Sequence, residues 1–349
     1  MASPSMGQIA KELGVSKGLV SLALSGKYGV SEEMRSKIVL YAIQSGYDFS
    51  RCRGQKKSRG DTVGVVLSQN DLLAERFWPR ILKGVEGELY NHALKMKAIV
   101  WDKPEDCKQI VLDLAVSGYS GLIILNEFPQ AELDSLAKIS FPIVIVDGKK
   151  VYECQFDTVR ADNYAGGYIG AQYLAKQGHR RLLFLGYAGF SRSFKQRYHG
   201  FMDGLEAIPG SGIAICSAIS PGKEPGPLER DALDFIYNRS ELLEFFSGAQ
   251  PAPTAIMCAN DPIAMEAVQV LSQAGLSVPG DVSILGFDNI KDSEYCSPKL
   301  TTLHVPKEEL GKSAVKMLIN RLDHPDEPLQ SVALDVSLVI RDSVRPWKD

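Results

Sequence analysis

The sequence predicts an N-terminal all-α head followed by two doubly wound α/β lobes, and three observations predict it. The first 47 residues hold three short helical segments whose small and apolar residues fall at helix-turn-helix spacing. Beyond residue 61, two series of Val- and Ile-rich runs alternate with amphipathic segments, the pattern of parallel strands covered on both faces. The charge divides along the same line. Residues 1–60 carry ten Lys/Arg and four Asp/Glu, net +6, whereas the remainder carries 29 and 38, net −9. A basic head on an acidic body is the asymmetry expected when only the head meets phosphate.

In the head, 8-QIAKELGVSKGLVSLALSGK-27 combines a tight turn with small hydroxyls. Ala10 allows two helices to cross, Gly14 supplies the positive φ of the turn, and Val20 plugs the core. Ser16 and Ser31 are N-caps for the second and third helices, and Gly46 stops the third. A second helix lying in a major groove would turn Lys17, Gly18 and Ser21 to base edges, with Leu22 beside them. Lys17 donates to guanine acceptors, and Leu22 makes only apolar contact. Ser16, Ser25, Lys27 and Arg35 are the candidates for phosphate. A generic three-helix interaction module shares this spacing, so the head alone leaves both readings open.

Residues 1–48 are thus the head, 49–61 a basic linker and 62–349 the core. The core's strands are expected at 62–69, 96–102, 121–126 and 142–148, then at 181–187, 214–220, 254–260 and 282–289. In open α/β sheets ligands sit at the carboxyl ends of strands. Ser68, Gln69, Asn126, Asp147, Asn260, Asp288 and Asn289 gather there. Each also suits a turn or a helix cap.

Several classes are disfavoured. Six scattered cysteines form no CxxC pair, and no apolar run approaches a membrane span, so a reducing, cytoplasmic setting is expected. There is no GxSxG, P-loop, HExxH or GxGxxG motif, and the five histidines are dispersed, so no enzyme, metal or cofactor is expected. His179, after Gly178, reads as a cap rather than a catalyst.

Taken together, IAKELGVSKGLVSLALSG, VSEEMRSKI and the Gly46–Tyr47 pair resemble the N-terminal signature of the LacI/GalR family of bacterial transcription regulators. Residues 162–186, 253–289 and 300–322 resemble its regulatory core. The resemblance covers nearly the whole chain. It implies a repressor that binds a pseudo-palindromic operator as a homodimer. It also implies a periplasmic-binding-protein-like core closing on a small effector between its lobes. Lobe one would be 62–161 with 291–322, and lobe two 162–290 with 323–343. The effector positions implied are Phe77, Trp78, Asn126, Asp147, Arg197, Asn260 and Asp288. Carboxylates, amides, an arginine and an aromatic face favour a sugar, polyol or sugar derivative.

The chain departs from the family in two places. Leu22 stands where an arginine is usual, so the favoured half-site should differ. The linker 47-YDFSRCRGQKKSRGDT-62 lacks the proline and the leucine wedge of a hinge helix. Arg51, Arg53 and Lys56 are expected to bind DNA there electrostatically, together with Lys57 and Arg59. Two alternatives stay open: a solute-binding protein of the same core fold, and a regulator controlled by a protein corepressor.

Overall fold

A computed structural model describes residues 3–49, 61–73, 77–101, 103–116, 119–126, 128–138, 142–148, 156–186, 191–208, 214–217, 243 and 252–348. The linker residues Arg51, Arg53 and Lys56 lie outside them.

The head contains α1 (Met6–Leu13), α2 (Lys17–Leu24) and α3 (Glu32–Gln44). Each starts at a serine whose hydroxyl accepts an early backbone N–H: Ser5 from Gln8, Ser16 from Leu19, Ser31 from Met34. Gln8 returns a bond to the Ser5 N–H and closes a capping box. Gly14 ends α1 at φ 66°, in the left-handed region where a side chain is strained. Ile9, Val20, Ala23, Ile38 and Ala42 are fully buried and form the small core.

The chain divides into two units. Unit 1 is Met1–Arg160 with Lys307–Val332, and unit 2 is Ala161–Pro306 with Ala333–Asp349. The first sheet contains β1 (Thr62–Ser68), β2 (Lys95–Trp101), β3 (Gly121–Leu125), β4 (Ile143–Val146), β5 (Asp157–Ala161) and β11 (Ser331–Leu334), in the order β11-β5-β4-β3-β1-β2. β1 to β5 run parallel. Short α4 (Gln69–Leu73), α5 (Trp78–Asn91), α6 (Pro104–Val116) and α7 (Gln130–Ala137) connect these strands.

The second sheet contains β6 (Arg181–Leu185), β7 (Ala214–Ser217), β8 (Ala255–Cys258), β9 (Ser283–Asp288), β10 (Thr301–His304) and β12 (Ser337–Val339). Its order is β12-β10-β9-β8-β6-β7, with β12 the antiparallel edge. α8 (Asn163–Lys176), α9 (Arg192–Glu206) and α10 (Asp261–Gln273) belong to unit 2, and α11 (Lys307–Asp323) returns to unit 1. The central strands are buried almost without interruption, which is why they read as apolar runs.

Two crossings differ from the sequence expectation. Residues 291–306, expected in lobe one, stay in unit 2 because β10 extends its sheet, Thr301 opposite Leu285. Asp261, fully buried at the start of α10, fixes this course. Its Oδ2 accepts from the Ile290 N–H at 2.8 Å and its Oδ1 from the Thr302 hydroxyl at 2.5 Å. Residues 323–332, expected in lobe two, stay in unit 1. There Arg321 forms a two-pronged pair with buried Asp157, at 2.8 and 3.0 Å, and donates to the Pro325, Glu327 and Pro328 carbonyls.

Each unit also contains one close helix crossing made by a reciprocal pair of glycines. A Cβ on Gly167 would lie 2.0 Å from the Arg197 carbonyl, and one on Gly200 2.0 Å from that of Tyr164, so α8 and α9 touch backbone to backbone. Gly84 and Gly311 do the same for α5 and α11, against Glu308 and Ile81.

Candidate functional site

On the head, α2 presents Lys17, Gly18 and Ser21 to solvent on one face, with Lys27 exposed after its end. Leu22 is half-buried and leans toward Gly29, where a Cβ would meet its Cδ1 at 3.8 Å. Ser16 is exposed, with its hydroxyl engaged as the N-cap. The Ser25 hydroxyl donates back to the Ser21 carbonyl at 2.7 Å. Arg35 differs from expectation. Its guanidinium donates to the Ala23 and Lys27 carbonyls at 3.3 and 2.7 Å and so anchors the end of α2 instead of standing free for phosphate. Sequence reasoning missed Tyr28, which is 99% exposed beside Lys27. Its signal was an aromatic next to Lys27 and Gly29, in the turn that follows α2.

On unit 1 the strand ends are built from residues in unusual backbone conformations. Asn126, after β3, has φ 62°, and Asp147, after β4, has φ 54°. Non-glycine residues rarely adopt such values, and Asn and Asp tolerate them best. Their N–H groups donate to Val146 and Val159, so the sheet ladder continues through the turn and fixes both residues. The turn role and the rim position therefore coincide. Phe77, half-buried before α5, packs edge-on against Trp78 at 5.1 Å, and the Lys307 Nζ lies 5.7 Å from the Phe77 ring centre. Trp78 differs from expectation. It is 7% exposed with its indole N–H directed to Asp71, so it supports the rim and offers little face to a ligand. Asp71 itself was not singled out from sequence. It is buried, and burial pushes its carboxyl above the usual carboxylate range.

On unit 2 the rim has Asn260 after β8, Asp288 as the last residue of β9 and Asn289 after it, the last two at φ 103° and 52°. Asn260 caps α10, its Oδ1 accepting from the Ile263 N–H at 3.0 Å, which leaves the amide nitrogen as its outward donor. Arg197 is 3% exposed and held on every side. Nε donates to Asn163 at 2.9 Å, one terminal nitrogen to the Ala259 carbonyl at 2.6 Å, and the other to Asp288 at 3.0 Å. The guanidinium lies 3.8 Å from the Phe287 ring centre. Three of its five N–H donors are thereby engaged inside unit 2. Arg341 braces the neighbouring turn through Asn289, Ser293 and the Leu300 carbonyl, and the Asn289 amide also meets His304 at 3.1 Å. Neither Arg341 nor His304 was singled out from sequence, because each lies far along the chain from the rim it serves.

His179 is fully buried, between the Thr254 hydroxyl at 3.0 Å and the Arg345 carbonyl at 3.1 Å, and its ring packs on Trp347. Burial lowers its pKa to about 4. It ties the C-terminal segment to unit 2. Among the described residues no cluster of three or more His, Cys, Asp or Glu is placed to hold a metal, and no helix is long and apolar enough to cross a membrane.

Residues 171–344 match the periplasmic binding protein-like domain family. The chain is 28% identical over 342 residues to the HTH-type transcriptional repressor PurR of Mannheimia succiniciproducens, covering 97% of each chain. It is 28% identical over 351 residues to the ribose operon repressor of Haemophilus influenzae, covering 98% of this chain and 99% of the relative. A LacI-family regulator from Enterococcus faecium, solved with bound ribose, superposes with a TM-score of 0.64 at 26% identity over 82% of this chain and 100% of its own. The lac repressor dimer bound to operator and an anti-inducer superposes with a TM-score of 0.65 at 22% identity, over 99% of this chain and 100% of its own, and shares the fold.

Proposed function

We propose that this chain, which belongs to the LacI/GalR family of bacterial transcriptional regulators, is a dimeric repressor whose hold on a pseudo-palindromic operator is gated by a small sugar-like effector. One observation carries the reading. A three-helix head with a solvent-facing Lys17-Gly18-Ser21 surface is joined to two α/β units whose strand ends carry Asn126, Asp147, Asn260 and Asp288. A transport protein has no use for the head, and a generic interaction module has no use for the rims.

In this reading α2 enters the major groove. Lys17 and Ser21 meet base edges, and Ser16, Lys27 and Tyr28 meet phosphates. Arg35 acts indirectly, by holding the loop that carries Lys27 and Tyr28. Each rim offers groups that suit sugar hydroxyls: Asp288 and the two remaining Arg197 donors in unit 2, and Asn126 and Asp147 with the Phe77 ring in unit 1. The ribose-bound Enterococcus faecium regulator and the ribose operon repressor support a pentose-sized sugar as the class to test first. The effector changes operator affinity by a coupling free energy of about 1–3 kcal/mol, or 5–150-fold.

The test is a titration of a selected operator duplex with D-ribose, D-xylose, D-glucose and cellobiose. At least one sugar should change DNA affinity five-fold or more, and Asp147→Asn, which keeps the turn at φ 54° and removes the carboxylate, should reduce that change while leaving sugar-free DNA binding intact. A set of sugars that bind without moving DNA affinity would remove the gating from this reading.

A further inference from the structure

We infer that Asp71 is a positioning residue for the effector: it pins the Asn126 amide so that Oδ1 remains as an acceptor on the unit 1 rim, where it takes a hydrogen bond from an effector hydroxyl. This rests on the reading of that rim as an effector wall. It adds the polarity the wall imposes and the residue that imposes it.

Asp71 lies in α4, just past the end of β1, and is 8% exposed. Its Oδ1 accepts from the Asn126 amide nitrogen at 2.8 Å and its Oδ2 from the Ser68 hydroxyl at 2.5 Å. Its own N–H donates to that same Ser68 oxygen at 3.1 Å, and the Trp78 indole N–H also points at the carboxylate. Among the described residues no basic side chain acts on it. A carboxylate buried among neutral donors costs free energy that an amide or an alanine in its place would not. What it achieves is orientation. An ionised carboxylate only accepts, so the Asn126 side chain must face it with nitrogen, and the amide cannot flip. The Asn126 backbone is fixed as well, at φ 62° with its N–H on Val146. The outcome is an oxygen with no hydrogen bond to the described residues, on a half-buried side chain at a strand end. Such an oxygen accepts from a hydroxyl and repels the oxygens of a carboxylate or phosphate at that point.

The arrangement is the converse of Asn260 on unit 2, where the backbone takes the oxygen and leaves the nitrogen outward. The two rims thus present opposite polarity from the same residue type. A hydroxyl is complementary to either, because it donates and accepts.

Two arms test this on the full-length protein. In the first, the free protein is labelled with [15N]asparagine and side-chain amide exchange is followed by NMR. The Asn126 amide protons should exchange at least ten-fold more slowly in the wild type than in Asp71→Leu. Equal rates overturn the pinning. In the second, D-ribose and its 2-, 3- and 5-deoxy analogues are titrated calorimetrically into wild type, Asp71→Leu, Asp71→Asn and Asn126→Leu. Asp71→Leu and Asn126→Leu should each weaken ribose at least ten-fold. One deoxy analogue should bind the wild type and both of these variants equally. Asp71→Asn, which keeps an acceptor, should stay within about three-fold of wild type. A loss of the same size for every analogue overturns the proposal, since it marks a folding role alone. If no sugar binds the wild type, the sugar reading of the rim fails, and the exchange arm still decides whether Asp71 pins the amide.

Discussion

Replacing Arg197 by Met should destabilise unit 2 even with no effector present, because the arginine is first a structural member. Met retains much of the apolar stem and removes every donor. Asp288, 7% exposed, then loses its cation, and breaking one side of a buried ion pair costs about 3–5 kcal/mol. The fully buried Ala259 carbonyl and the Asn163 side-chain oxygen lose partners at 2.6 and 2.9 Å. Each orphaned acceptor costs about 1–3 kcal/mol, but the three groups share one network and do not add. A net loss of about 4 kcal/mol, roughly 10³ in the opening equilibrium, is the expectation. Hydrogen exchange resolved by peptide is the assay, because two units need not unfold together. Amides of β6, β8 and β9 should exchange about a thousand-fold faster, while those of β1 and β3 stay at the wild-type rate. The double variant Arg197→Met/Asp288→Leu should recover at least 2 kcal/mol, since it leaves no buried charge unpaired. A single-variant loss below about 1 kcal/mol would show that Arg197 is not a structural member and leave it a purely ligand-facing role.

Other consequences follow from the same structure. His179 has a folded pKa of about 4 against about 6.5 when unfolded, so the unfolded chain binds the extra proton between these values. Its contribution is intact above pH 6.5 and declines as pH falls through 4, by about 3 kcal/mol in total. Urea melts of wild type and His179→Gln should therefore differ in slope across pH 6.5 to 4, and parallel curves would contradict the assignment. Gly167→Ala places a methyl 2.0 Å from the Arg197 carbonyl, should cost about 3 kcal/mol, and should loosen Asp288 with it. Gly14→Ala meets nothing within 4 Å and should cost only the strain of φ 66°, about 1 kcal/mol, seen as a lower melting point of the head alone. Leu22→Arg should shift the preferred operator half-site by about 1–3 kcal/mol at one base pair, measured by competition between duplexes.

Much of this organisation was legible in the sequence because it rests on local rules. The serine caps, the Gly14 turn and the two sets of apolar strands each depend on residues a few positions apart. Asn126, Asp147 and Asp288 were legible as rim residues because strands end where polar residues begin. The unread parts depend on long-range partners. Asp71 looks like an ordinary helix-start acid until Asn126, 55 positions later, is placed beside it. The second lobe crossing was implied by the resemblance to follow residue 290, whereas unit 2 continues to Pro306. Only Asp261, holding both Ile290 and Thr302, shows that the turn is fastened to unit 2. Arg35 and Trp78 were read by residue type, and their partners turned out to be internal. The reciprocal glycines were invisible for the same reason, since a close crossing has two halves that lie far apart in the chain.

The exposed face of α2 is the surface proposed to read a duplex. That role is tested most directly by affinity selection of random double-stranded DNA at moderate salt, with the wild type and Lys17→Ala/Ser21→Ala in parallel. One enriched pseudo-palindrome is expected for the wild type. For the variant, relaxed preference is expected at symmetry-related positions in both half-sites, with the half-site spacing unchanged. No enrichment by a folded wild-type dimer, or an identical site selected by both proteins, would contradict that role.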